Sequence, residues 1–256
     1  MTSSSRPDSP VAAEVLPSPN HGERRGRRPD MLLLHYTGMP NAQEALDWLC
    51  NPQSAVSAHY FVFEDGRMAQ LVPEDRRAWH AGAGSWDGDE DINSCSIGIE
   101  IANPGHDGGL PPFPDRQIVA LTALAKDIVS RWSISPDRIL GHSDVAPGRK
   151  QDPGERFPWA ELHRAGLGHW VDPAPIQNGR VASRGDQGPE VAAAQALLAR
   201  YGYGAPQGGV FDAGTEAVVA AFQRHFRPEC VDGIADASTL ATLRDLIASQ
   251  PVRRLA

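Results

Sequence analysis

Between Leu140 and Gly154 the chain reads Leu-Gly-His-Ser-Asp-Val-Ala-Pro-Gly-Arg-Lys-Gln-Asp-Pro-Gly. His142 and Asp152 can both bind a metal, and Lys150 lies between them in sequence. Pro147, Gly148, Pro153 and Gly154 exclude a continuous helix, so something other than a helical ladder must hold the loop. A bound cation suits that need. Zinc takes histidine nitrogen and carboxylate oxygen, and a catalytic zinc keeps three protein ligands and one open position. One more ligand is therefore required. His35 supplies it, at the end of the apolar run Met31–Tyr36. Alone, a histidine there reads as a hydrogen-bonded core residue; beside His142 and Asp152 it reads as a ligand. An open zinc lowers the pKa of its water to about 7, and hydrolysis then needs a base and a positive group for the developing oxyanion. Glu100 and Lys150 suit these roles by type. On residue type alone they read equally as an edge-strand carboxylate and a solvated loop lysine.

The elements that must position these groups follow from periodicity. Met31–Tyr36 is a short apolar run of the kind found in a sheet buried on both faces, and functional residues of α/β sheets gather at the carboxyl ends of strands. Residues 42–50 read as a short helix with Asn41 as N-cap. Ser57–Phe63 and Met68–Val72 read as strands joined by the Asp-Gly turn at Asp65-Gly66. Cys95–Ala102 alternates: Ile97, Ile99 and Ile101 share one face, and Gly98, Glu100 and Ala102 the other. The small neighbours of Glu100 leave space for a ligand. Asp115–Trp132 is an amphipathic helix, residues 138–140 a last strand, and Phe157–Gly166 a closing helix. Residues 1–29, rich in Ser, Pro and charge, read as a disordered arm. Pro and Gly mark a linker over 171–188. Three helices follow within 189–250: Pro189–Tyr201, Asp212–Phe226 and Asp236–Ser249, the last two opening alike on an Asp N-cap.

The chain has 256 residues, 41% of them hydrophobic, enough for one large or two smaller globular domains. Its net charge of -8 argues against nucleic acid or an anionic membrane as partner. Cys50, Cys95 and Cys230 are odd in number and far apart, so no disulfide framework is expected. No stretch approaches a transmembrane helix, and the run after Arg24-Arg25-Gly26-Arg27-Arg28 is too short for an export core. A cytoplasmic monomer is the expectation.

Five segments closely resemble the zinc-dependent N-acetylmuramoyl-L-alanine amidases of the AmpD and AmiD type. They are Leu34-His-Tyr-Thr37, Val56-Ser-Ala-His59, Arg77-Ala-Trp-His-Ala-Gly82, Ser96-Ile-Gly-Ile-Glu100 and Gly141–Gly154, in family order within residues 30–170. The resemblance implies a mixed β-sheet flanked by helices, zinc on His35, His142 and Asp152, and catalytic roles for Glu100 and Lys150. It implies cleavage of the amide between muramic acid and L-alanine of the peptidoglycan stem peptide. On that substrate Trp79 and His80 suit the pocket rim, the one packing on a sugar and the other donating a hydrogen bond, and Arg77 suits a stem-peptide carboxylate. His59 lies inside a strand and reads first as a core residue, with substrate contact as its second reading. Residues 185–249 resemble a peptidoglycan-binding three-helix domain, on Tyr201-Gly-Tyr203, Val210-Phe-Asp212, Ala220-Ala-Phe-Gln223 and Asp232–Asp236. That second domain favours the AmiD-like architecture and a periplasmic alternative, while the missing export core favours cytosolic recycling of muropeptides. Two other activities fit the same scaffold: a non-catalytic peptidoglycan-recognition protein and a zinc peptidase cutting within the stem.

Overall fold

The computed structural model describes residues 6–177 and 179–251. The N-terminal arm, expected to be disordered over residues 1–29, departs from that expectation where it is described; residues 1–5 lie outside the described residues. From residue 6 onward it is built into the fold, through β1 (Glu14–Val15) and β2 (His21–Glu23). Several of its side chains bond to distant backbone carbonyls. The Ser18 hydroxyl donates to the Leu49 carbonyl at 2.5 Å, and the Asn20 amide donates to Asn51 and Val56 carbonyls at 2.8 and 2.9 Å. Composition misses this kind of order, because polar pairing with remote carbonyls leaves no hydrophobic signature.

β3 (Met31–Tyr36) is one of the inner strands of a six-stranded mixed sheet. It is followed by α1 (Ala42–Leu49), whose N-cap Asn41 accepts from the Gln43 and Glu44 amides at 2.8 and 3.1 Å. Then come β4 (Tyr60–Val62), β5 (Met68–Gln70), β6 (Arg76–Ala78), the one-turn α2 (Ile92–Cys95) and β7 (Ser96–Ile101). The long helix α3 (Asp115–Trp132) leads to β8 (Ile139–Gly141), the one-turn α4 (His142–Val145) and α5 (Trp159–Arg164). The sheet order is β1-β5-β4-β7-β3-β8. β4 and β5 are antiparallel, and the β4–β7, β7–β3 and β3–β8 pairs are parallel. β2 and β6 pair separately as an antiparallel ribbon.

Strand alternation gives each face its own helices. Leu32, Leu34, Ile97, Ile99 and Ile101 pack under Leu121, Leu124, Ala125 and Ile128 of α3. On the opposite face Phe61 packs with Ala45, Leu46 and Leu49 of α1. On that face His35 stands beside Glu100 in the β3–β7 register; its neighbour Leu34, on the α3 side, pairs with Gly141 in the β3–β8 register, so His142 follows directly. Three parallel strands therefore end together and deliver His35, Glu100 and His142 to one rim.

The C-terminal region consists of β9 (Arg180–Ala182), α6 (Pro189–Tyr201), α7 (Ala213–Phe226), β10 (Ala235–Asp236) and α8 (Ala237–Ser249). The expected Asp caps are present: Asp212 accepts from the Thr215 amide at 2.8 Å and Asp236 from Thr239 at 2.7 Å. β9 lies within the expected linker and pairs antiparallel with β10. The module is not an appendage. Tyr201, Tyr203, Phe222 and Phe226 share one hydrophobic core with Met31, Leu33, Trp86, Leu140 and Val145. Among the described residues no helix is long and apolar enough to cross a membrane, and all three cysteines are free.

Candidate active site

His35 Nδ1, His142 Nδ1 and Asp152 Oδ2 form a near-equilateral triangle with sides of 3.0, 2.9 and 3.0 Å. All three residues are buried. The hydrogen-bond network fixes what these atoms carry. His142 Nε2 lies 2.9 Å from the Ala81 carbonyl, which can only accept, so the proton is on Nε2 and Nδ1 presents a lone pair. The same logic runs through His80 to His35. The Ser96 hydroxyl donates to the Ile92 carbonyl at 2.6 Å and so accepts from His80 Nε2 at 3.3 Å. His80 Nδ1 then accepts from His35 Nε2 at 3.1 Å, and His35 Nδ1 is left with a lone pair. Burial first, then the neighbouring His142, lowers the His35 pKa to about 4, consistent with a neutral ring.

Three electron pairs thus meet with no hydrogen between them, on buried residues. Such a set needs a cation. Zinc bonds of about 2.0–2.1 Å in a tetrahedral arrangement put ligand atoms roughly 3.3 Å apart, close to the spacing seen here. Two nitrogens and one oxygen are donors of zinc type, and the outer partners of both rings are the carbonyl and imidazole acceptors that orient metal-bound histidines.

The triangle opens into a cavity of about 510 Å³, lined among others by Glu100, Lys150, Trp79, Trp48, Val56, Tyr36 and His106. Glu100 Oε2 is buried and has no hydrogen-bond partner. Burial first, then the charge of Asp152, raises the Glu100 pKa well above the ordinary carboxylate value. The ligand loop is tightly folded around its glycine. A Cβ on Gly141 would lie 2.6 Å from Pro153 Cδ, and the Ser143 amide donates to the Asp152 carbonyl at 2.9 Å.

Two of the expected substrate residues, His59 and Arg77, lie elsewhere. His59 is fully buried outside the cavity: its Nδ1 accepts from the Gly98 amide at 2.9 Å and its Nε2 lies 3.0 Å from the Arg76 carbonyl. Arg77 is tied to Asp91 at 2.8 Å and to Ser94 at 3.0 Å, away from the pocket. His80 borders the cavity from behind His35, and its ring fills the space over Gly98, where a Cβ would meet it at 2.5 Å. The small residue beside Glu100 therefore makes room for a histidine, not for a ligand. Trp79 does line the cavity.

Other residues were not legible beforehand. Arg24, from the arm, is 5% exposed; its guanidinium donates to the Glu74, Ser94 and Ser96 carbonyls at 2.8, 2.9 and 3.0 Å. Trp48 is 49% exposed on α1 and forms one wall of the cavity. A large aromatic on the polar side of an amphipathic helix was the available signal. At the rim the Tyr36 hydroxyl bonds His106 Nδ1 at 2.9 Å, and His106 Nε2 bonds Glu155 at 3.0 Å.

His59 makes a stability prediction. Burial first, then the Arg24 charge, lowers its pKa to about 3. Below about pH 6.5 the unfolded chain binds a proton there and the folded chain does not, so this group removes stability as pH falls toward 3. The stability difference between the native protein and His59→Gln should shrink by about 2 kcal/mol between pH 7.5 and pH 5 in urea unfolding. A difference independent of pH would remove His59 from the acid response.

Comparison with known proteins agrees with this geometry. Residues 25–155 match the N-acetylmuramoyl-L-alanine amidase family model, and residues 187–243 match a putative peptidoglycan-binding domain. The chain belongs to the N-acetylmuramoyl-L-alanine amidase family. It is 40% identical over 230 residues to N-acetylmuramoyl-L-alanine amidase AmiD of Escherichia coli, covering 85% of this chain and 82% of that one. It is 35% identical over 171 residues to 1,6-anhydro-N-acetylmuramyl-L-alanine amidase AmpD of Enterobacter cloacae, covering 60% and 89%. Among solved structures, the E. coli AmiD complex with anhydro-N-acetylmuramic acid-L-Ala-D-gamma-Glu-L-Lys superposes with a TM-score of 0.74 at 36% identity, covering 90% of this chain and 97% of that one. AmpDh3 of Pseudomonas aeruginosa with an anhydromuramic pentapeptide gives 0.69 at 33% identity, covering 90% and 93%. The mixed α/β fold is the one these amidases share.

Proposed function

We propose that this amidase hydrolyses the amide between N-acetylmuramic acid, its 1,6-anhydro form included, and L-alanine of peptidoglycan stem peptides, in cell-wall recycling or turnover. The observation that carries the reading is the convergence of the His35–His142–Asp152 triangle and the unpartnered Glu100 Oε2 on one cavity. His35, His142 and Asp152 would hold one zinc per chain. Bound zinc supplies a Lewis acid and a water of lowered pKa. Glu100 takes the proton of the attacking water and passes it to the departing alanine nitrogen. Its pKa, raised by burial above the ordinary carboxylate value, suits the first of these steps, because the carboxylate is then a stronger base toward the attacking water. Lys150 places positive charge in the same cavity, where the tetrahedral oxyanion develops. Trp48, Trp79 and Val56 form the apolar wall suited to the sugar ring and lactyl methyl. The protein acts as a monomer on muropeptides, with neither nucleic acid nor membrane as partner.

The test is digestion of anhydro-muropeptide and, separately, of intact sacculi by zinc-quantified protein, read by mass spectrometry. Free stem peptide beginning at L-alanine is the expected product. A shortened peptide still attached to sugar would mean a peptidase, and no product from zinc-replete protein would mean a recognition protein. Cleavage of soluble fragments alone fits cytoplasmic recycling, and cleavage of sacculi as well fits the periplasm.

A further inference from the structure

Two residues beyond the ligand His142, on α4, Asp144 is fully buried. Its Oδ1 accepts from the Tyr203 hydroxyl at 2.6 Å. Its Oδ2 accepts from His225 Nδ1 at 2.7 Å and from the Gly141 amide at 2.8 Å. One carboxylate therefore joins the residue just before a metal ligand to two side chains from the C-terminal module. The His225 ring stacks on Trp159 with centroids 3.7 Å apart and planes 20° apart, and Trp159 in turn closes on Gly141. A second tie runs through the loop that carries Trp86. The Asp87 amide donates to the Gly202 carbonyl at 2.7 Å, and the Ser85 amide donates to the Val145 carbonyl at the end of α4 at 2.8 Å.

We propose that the C-terminal module is a positioning element of the metal site: Tyr203 and His225 fix Asp144, and Asp144 fixes the backbone that aims His142. This rests on the reading of His35, His142 and Asp152 as metal ligands. A buried carboxylate without its donors carries the full cost of its lost hydration, so removing one donor lets Asp144 reorient and pulls on the Gly141 amide. Outer partners that orient a ligand typically change metal affinity by about 10–100-fold when lost. The same contact buries Tyr201, Tyr203, Phe222 and Phe226, so these aromatics are not free to stack on glycan.

The experiment uses the full-length protein. Zinc content and zinc affinity are measured by chelator competition at 25 °C for wild type, Tyr203→Phe and Asp144→Asn, with the unfolding temperature of each metal-free form. Tyr203→Phe keeps the ring and deletes only the hydroxyl. The expected result is zinc affinity about 10-fold weaker in both variants, at a temperature where each is folded. A lowered unfolding temperature with unchanged affinity would reduce the contact to packing and overturn the proposal. A wild-type measurement covers variants that fail to fold. Coupling is reciprocal, so zinc binding should slow amide exchange in α7 as well as in residues 141–154. Protection confined to 141–154 would overturn the proposal too. A wild-type protein that binds no zinc would instead overturn the metal-site reading beneath it.

Discussion

Asp152→Ala is expected to lose zinc and activity together. Asp152 is the anionic member of the triangle, and its Oδ2 lies 2.9 and 3.0 Å from the two ligand nitrogens. Without it two neutral imidazoles remain, and two ligands do not hold zinc in a catalytic site of this kind. Loss of an outer partner already costs about 10–100-fold in metal affinity, and loss of a ligand exceeds that. Activity should fall by at least the same factor at fixed zinc, because unassisted water is a far weaker acid than zinc-bound water, whose pKa is about 7. The measurements are metal content after dialysis and turnover on muropeptide at rising zinc. A variant that retains one zinc per chain with normal turnover would remove Asp152 from the ligand set.

The chain's periodicity made most of this fold legible. Asp115–Trp132 forms α3 without a residue's difference, because its apolar stripe and its flanking Pro114 and Ser133 are all local signals. The three C-terminal helices start one residue later or at the expected residue, since Pro189 and the Asp caps act within one turn. His35, His142 and Asp152, which the structure brings together, were legible as a candidate set because loop-fixing Pro and Gly residues surround His142 and Asp152. What escaped was determined by distant partners. Arg24 read only as part of a disordered arm and of the Arg24–Arg28 run weighed as an export signal; its three carbonyl acceptors come from residues 50 to 72 positions away. Arg77 looked free for a substrate carboxylate, but folding brings Asp91 to it first. His59 and His80 share a residue type with the ligands, and only the register of the sheet shows that one holds Gly98 and the other holds His35. The linker signal in 171–188 was real in composition, yet the module beyond it folds back because its aromatic face has nowhere better to be buried than against Trp86 and Leu140.

Glu100→Gln should lower turnover by about 10²–10⁴-fold while zinc stays bound, the range expected when a positioned acid–base group is removed. Zinc retention follows from the geometry, since Glu100 neighbours His35 in the strand register but is not part of the ligand triangle. Stability gives the prediction its second half. Glu100 Oε2 is buried without a partner, and burial is the leading cause of its raised pKa. A carboxylate in that state costs the folded protein free energy near neutral pH, so the neutral isostere should unfold at the same or a higher temperature in the metal-free form. The two effects have opposite sign, which a purely structural Glu100 would not give: a residue present for stability would lose stability when replaced. The folded pKa lies above the unfolded value, so the carboxyl is protonated first in the folded state. Its destabilising effect is present above the folded pKa and fades as pH falls through it. The stability gain of Glu100→Gln should therefore diminish in acid. Full turnover in zinc-loaded Glu100→Gln would mean that the proton leaves the attacking water by another route, and that the unpartnered oxygen of Glu100 has no part in the chemistry.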